Sequence, residues 1–113
     1  RLVGELGELL DPWQPALLEL VARTAAAGRA AGVPVGVCGE AASDPNLALV
    51  LTGFGCTSLS MSANALAEVR VALAAVSLAR CEELAADALA AADGQEARSS
   101  VLAALGSETT DPG

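Results

Sequence analysis

The 113-residue sequence has no lysine, no histidine and only two aromatic side chains, Trp13 and Phe54. With no His and no CxxC pair, its three cysteines (Cys38, Cys56 and Cys81) form no zinc pattern. An odd number of Cys at wide spacing also makes no disulfide framework, so reduced thiols are expected. Positive charge is scarce: six scattered Arg face 14 Asp and Glu, a net charge of −8. Counterion release from a nucleic acid therefore has almost nothing to work with, and nucleic-acid binding is excluded. An anionic membrane surface is disfavoured for the same reason. No run of about 18 residues lacks polar interruption, and no basic region precedes an apolar run and cleavage site at the N-terminus. The expectation is a soluble, unexported, cytoplasmic protein.

What is present is Ala and Leu, which supply most of a 53% hydrophobic content and favour helices. The length allows one domain at most. The first ten residues, RLVGELGELL, hold two Gly and no helix start signal, and read as a loop or frayed turn. Asp11-Pro12, with Pro15 close behind, predicts a helix from about Pro15 to Ala31, capped by Asp11. Its apolar stripe is Leu17, Leu18, Val21 and Ala25, Glu19 and Arg23 pair on another face, and Gly32 ends it. The run VPVGVC, bounded by Gly32 and Gly39, predicts a strand buried on both faces, as in parallel sheets. Asp44-Pro45 repeats the helix start, with Leu47, Val50 and Leu51 at helical spacing up to Gly53 and Gly55. A second strand is predicted from Thr57 to Ser62. Asn64 then caps a helix carrying Leu66, Val69, Leu73 and Val76. Ser77 caps another, with Leu78, Cys81, Leu84, Ala85, Ala88 and Leu89 inward. Asp93-Gly94 breaks that helix, Gln95 to Leu105 form a last one, and residues 106–113 read as a disordered tail.

The order is βαβα with short apolar strands. Two parallel strands make no stable sheet alone, so the chain reads as a piece of a larger α/β fold. In such folds reactive groups gather at the carboxyl ends of strands. Cys38 stands at such an end, between Gly36 and Gly39, with Glu40 and Asp44 following in the same loop. The plain alternative is a buried thiol serving as a small apolar residue. Cys56, at the amino end of its strand, and Cys81, inward on a helix, are expected in the core. Ser60 and Ser62 share one side of their strand and could line a polar pocket, although Ser near a helix start is more commonly a cap. Asp11, Glu40 and Asp44 match no cation loop, and Trp13 is expected to pack against the sheet.

The stretches DPWQPALLELV, GVPVGVCGEAASDP, LVLTGFG and SLSMSANALAEVR resemble the last quarter of Enzyme I of the bacterial phosphoenolpyruvate-dependent sugar phosphotransferase system. They are similar, more loosely, to pyruvate phosphate dikinase and phosphoenolpyruvate synthase. The most specific element is VCGE followed at this distance by SLSMSA. The resemblance implies βα units seven and eight of a phosphoenolpyruvate-binding TIM barrel, with Val33–Cys38 and Thr57–Ser62 as the strands and residues 1–105 as the partial domain.

It also implies that Cys38 is the proton donor to the methylene carbon of the enolate left when phosphoenolpyruvate loses its phosphoryl group. A thiol suits this: ordinary cysteine titrates near about 8.5, so it is protonated at neutral pH and able to give a proton to a carbanion-like carbon. The family places an Arg at the close of an Ala-Ala-Asp-Arg segment, in contact with the phosphoenolpyruvate anion. Spacing back from Cys38 puts Arg1 there, the alternative being a terminal Arg in solvent. The phosphorylated His of the family, its magnesium-binding Glu and Asp and its other Arg residues are absent. The expectation is therefore a fragment, inactive alone, of a cytoplasmic kinase of sugar transport that uses magnesium elsewhere in the parent. Its partners would be phosphoenolpyruvate and pyruvate, a phosphocarrier protein and further copies of itself. Alternatives are a fragment of a dikinase or synthase, distinguished by an upstream nucleotide-binding domain, or a non-catalytic interaction module, distinguished by its mass in solution.

Overall fold

Residues 11–109, the part of the chain that the computed structural model describes, form six helices and a two-stranded parallel sheet. The predicted N-terminal loop with Arg1, and residues 110–113 of the predicted tail, lie outside the described residues.

Helix α1 spans Pro15–Ala31, as the proline placement predicts. Asp11, however, does not cap it. Its Oδ1 accepts from the Trp13 amide (3.0 Å) and its carbonyl from the Gln14 amide (2.9 Å), closing a turn ahead of the helix. Gln14 is the N-cap residue, with Pro15 inside the first turn and no side-chain cap. Leu18 and Ala25 of the predicted stripe are buried, while Leu17 and Val21 are half-buried. At the far end Gly32 has φ 73°. The Gly32 amide donates to the Arg29 carbonyl (3.2 Å) and the Val33 amide to the Gly28 carbonyl (2.7 Å). This is a Schellman closure, which needs a left-handed residue that Gly supplies without strain.

Strand β1 is Gly36–Cys38, followed by the one-turn helix α2 (Glu40–Ser43) and helix α3 (Pro45–Phe54). Asp44 caps α3 as predicted: its Oδ1 accepts from the amides of Asn46 (3.0 Å) and Leu47 (3.4 Å). Gly55, at φ 104°, repeats the Schellman closure, with the Cys56 amide on the Leu51 carbonyl (3.2 Å). Strand β2 is Ser58–Ser60, parallel to β1 in the register Gly36 to Ser58, Val37 to Leu59 and Cys38 to Ser60.

Both strands are shorter than predicted, because Val33 is consumed by the helix closure and Val35 bonds to Thr57 outside the regular ladder. Neither is buried on both faces. Val37 and Leu59 are half-buried on the helix side, whereas Gly36, Cys38, Ser58 and Ser60 are exposed on the other. The physical reason is coverage: the described helices pack on one face of the sheet, and each strand has one neighbour among the described residues.

Helix α4 (Ala63–Ala75) starts one residue after Ser62, which takes the N-cap position predicted for Asn64, without a side-chain hydrogen bond. Of its predicted stripe Val69 is buried and Leu73 half-buried, but Leu66 is exposed and Val76 lies past the helix end. Helix α5 (Leu78–Ala90) is capped by Ser77, whose Oγ accepts from the Arg80 amide (3.1 Å). It buries Cys81, Leu84, Ala85 and Ala88; Leu78, in its first turn, and Leu89, both predicted inward, are exposed. Helix α6 runs Gly94–Thr109, past the predicted end at Leu105. Asp93 and Glu96 form a reciprocal cap: Asp93 Oδ1 accepts from the Glu96 amide (2.8 Å), and Glu96 Oε2 from the Ala92 amide (3.0 Å).

The core lies on the helix side of the sheet. Leu47 through Leu51 of α3 are all buried, which makes α3 the central helix, and α5, Trp13, Leu18, Ala97 and Val101 close around it. Among the described residues no helix is long and apolar enough to cross a membrane. The architecture is therefore α/β, mostly helical with a small parallel sheet.

Candidate functional site

Cys38 is the last residue of β1, at its carboxyl end, and its side chain is exposed. The residues around it fix where it sits. On one side the Gly39 amide donates to the Ser60 carbonyl (3.1 Å), so strand pairing continues one residue beyond the thiol. Gly39 itself has φ 91° and ψ −149°, a conformation strained for any residue with a Cβ. This turns the chain sharply out of the strand. The Gly39 carbonyl then accepts from the Ser43 amide (3.1 Å) and the Ser43 hydroxyl (2.9 Å), closing α2 in a single turn anchored by fully buried Ala42.

The turn ends on Asp44, whose two carboxylate oxygens do separate work. Oδ1 caps α3, and Oδ2 accepts from the Trp13 indole Nε1 (3.1 Å), 31 residues away in sequence. Trp13 is buried, 3% exposed, and belongs to the core cluster against which Val37 and Leu59 of the sheet pack. Its N–H is the polar handle of a large buried ring, and Asp44 satisfies it.

The face that Cys38 shares is built of small residues. Gly36 and Cys38 lie two apart on β1, and the register sets Ser58 and Ser60 beside them. A Cβ at Gly36 would come within 2.5 Å of the Ser58 hydroxyl, so only Gly fits without displacing that side chain. Spacing within the predicted second strand pairs Ser60 with Ser62. The structure keeps Ser60 beside the thiol, moves Ser62 to the start of α4 and brings in Ser58 instead. Ser58 and Gly36 carry no local sequence signal for this role; only the strand register reveals it.

The other two cysteines are elsewhere, as expected. Cys56 is half-buried, and burial pushes its thiol up. Cys81 is buried, and its thiol is pushed up by burial first and by the negative charge of Glu82 second. Both line a cleft of about 470 Å³ between β2, α4 and α5, together with Leu59, Met61, Arg70 and Leu73. Glu40 is exposed in the Cys38 loop. Among the described residues no three Asp, Glu or Cys side chains gather closely enough to hold a metal ion. Arg1 lies outside the described residues.

An exposed thiol at a strand's carboxyl end, on a floor small enough for a ligand to reach the backbone, can deliver a proton to a bound substrate. Residues 1–78, which contain this whole arrangement, match the family model described as PEP-utilising enzyme, PEP-binding domain. The chain belongs to that family. Its relatives include a phosphoenolpyruvate-protein phosphotransferase of Streptomyces coelicolor, 56% identical over 108 residues, covering 96% of this chain and 19% of that protein. One of the same name from Cupriavidus necator is 40% identical over 96 residues, covering 85% of this chain and 16% of the relative. A multiphosphoryl transfer protein of Rhodobacter capsulatus is 39% identical over 98 residues, 87% of this chain and 12% of the relative. The chain thus spans about a fifth or less of the length of these relatives. The Streptomyces match, at 108 of 113 residues, extends the likeness beyond the family model's end at Leu78 and through most of α5 and α6.

Proposed function

We propose that this chain forms βα units seven and eight of the phosphoenolpyruvate-binding TIM barrel of a phosphoenolpyruvate-protein phosphotransferase, and that Cys38 is its proton donor. The observation that carries the reading is the placement of Cys38: exposed, at the carboxyl end of a parallel strand, within a chain of this family. The two strands with one covered face support the barrel, whose other strands the rest of the parent polypeptide would supply. The names of the relatives favour a phosphotransferase over a dikinase or synthase.

In the proposed reaction the bond between phosphorus and the enol oxygen of phosphoenolpyruvate breaks, and the phosphoryl group passes to a His. This chain has none, so the acceptor lies elsewhere in the parent. The electron pair of that bond stays with the substrate as the enolate of pyruvate. Cys38 Sγ–H then gives its proton to the methylene carbon, yielding pyruvate and a thiolate that solvent reprotonates. The open face of Gly36, Ser58 and Ser60 leaves room for the substrate beside the thiol. Arg1 is assigned to the phosphoenolpyruvate anion. Magnesium would offset phosphate charge in the parent, but the donors among the described residues do not fit such an ion. The reading places the parent in the cytoplasm as a homo-oligomer that hands its phosphoryl group to a carrier protein for sugar uptake.

The test is Cys38→Ala in the full-length protein. Protonation of the enolate should fall by about 10²-fold or more, the usual scale of general acid catalysis, while phosphoryl exchange at the His is less affected. Equal loss of both, or no loss of either, would overturn the assignment.

A further inference from the structure

We propose that Trp13 is a positioning residue for the Cys38 thiol, acting through Asp44. The proposal rests on the role given to Cys38 above. The thiol sits at one end of a six-residue path that leaves the strand at Gly39, makes one turn of helix and ends at Asp44. The strand end of this path is held by the Gly39 to Ser60 hydrogen bond, and the far end by whatever holds Asp44. Capping α3 requires only one acceptor oxygen, which Ser, Thr or Asn would supply equally well. Only a carboxylate can cap with one oxygen and accept from the indole with the other. Asp44 does both, and the second bond ties the path to the start of α1.

The ring of Trp13 fills core space that Phe would largely fill as well; the N–H is what makes indole specific here. Without that bond the ring still packs and α3 remains capped, but the Gly39–Asp44 segment loses its attachment to α1. The pairing at Gly39 still holds the thiol's backbone, so the loss falls on the loop beside the thiol, whose turn out of the strand rests on a glycine with wide conformational freedom. Proton delivery to carbon is sensitive to such displacement, whereas phosphoryl transfer, which the thiol does not perform, is not.

The bond can be removed from either end. Trp13→Phe deletes the donor. Asp44→Asn leaves one acceptor oxygen, which can cap α3 or meet the indole but not both. In the full-length protein, exchange of the pyruvate methyl protons with deuterated water reads proton delivery, and phosphoryl exchange with the His reads the rest of the site. Each variant should slow proton exchange by about 3- to 10-fold, the rate equivalent of one hydrogen bond, with phosphoryl exchange and the KM for phosphoenolpyruvate unchanged. The double variant should be no slower than the worse single one, because both remove the same bond. Val101→Ala, a core truncation in α6 away from the path, should leave proton exchange at the wild-type rate despite its cost in stability. Wild-type exchange in Trp13→Phe, additive losses in the double variant, or an equal loss in Val101→Ala would overturn the positioning role. Wild-type exchange in Cys38→Ala would instead overturn the assignment on which it rests.

Discussion

Gly53 lies in the last turn of α3, where that helix crosses α5. A Cβ built there collides with the Cys81 carbonyl oxygen, comes within 2.6 Å of the Cys81 carbonyl carbon and 2.9 Å of the Ala85 Cβ. Carbon atoms in contact sit about 3.5 to 4.0 Å apart, so Gly53→Ala requires the helices to separate by about 1 Å. The obstacle is backbone, which cannot rotate aside as a side chain would. Overpacking of this kind costs about 1 to 3 kcal/mol, and a backbone clash belongs at the upper end. Alanine in a helix returns about 0.5 to 1 kcal/mol relative to glycine. The net expectation is a loss of about 2 kcal/mol, which lowers Tm by about 8 to 16 °C in a domain near this size. Gly106→Ala is the matched control: it is also helical, but among the described residues a Cβ there meets nothing within 4 Å. It should gain about 0.5 to 1 kcal/mol. Thermal melts followed by circular dichroism compare the two. A Gly53→Ala protein that melts with or above wild type would show that α3 and α5 are not held at the close approach described.

Two further outcomes follow from the caps and the thiols. Asp93→Ala removes the acceptor that starts α6 and should cost about 0.5 to 2 kcal/mol in urea denaturation; no change in midpoint would mean that the reciprocal cap with Glu96 does not hold the helix start. Cys56 and Cys81 are neutral when protonated, and burial makes the folded state hold their protons more tightly than the unfolded state does. Stability is therefore full below the ordinary thiol range, about 8.5, and falls as pH climbs through it; urea midpoints that stay level to pH 10 would refute this.

The parts of this fold that were legible in the sequence are those set by local chemistry. Pro15, Gly32, Asp44, Gly55 and Ser77 each impose a backbone conformation or supply an acceptor within a few residues, and each starts or ends a helix where the sequence places it. Errors arise where a local signal has two uses. Val33 belongs to a β-branched run, but the Schellman closure of α1 takes its amide, and pairing begins only at Gly36. Ser62 and Asn64 are both good caps, and the earlier one starts α4. Asp11 has the right chemistry for a helix cap and spends it on the turn containing Trp13 instead. In the first case apolar character does not reveal how much of a strand finds a neighbour, which is a property of the sheet and not of the segment.

The candidate site divides along the same line. Cys38 could be placed because a strand followed by a glycine identifies its own end. Its surroundings could not, since they come from pairing across 22 residues to Ser58 and Ser60 and from a hydrogen bond across 31 residues to Trp13. The smallness of the open face also has a physical basis. The parallel register sets Gly36 against Ser58 so closely that a methyl group meets the hydroxyl, and Ser60 and Cys38 continue the same narrow row. Bulky side chains would cover the strand ends and shield the thiol, at a gain in apolar burial of about 1.5 to 3 kcal/mol for each Val or Leu fully buried. In this chain that face carries only Gly36, Cys38, Ser58 and Ser60, while Leu47 through Leu51 pack on the other side without a gap in the run. On the proposed barrel reading this face would look into the barrel that the parent completes, and its small side chains would leave room there beside Cys38.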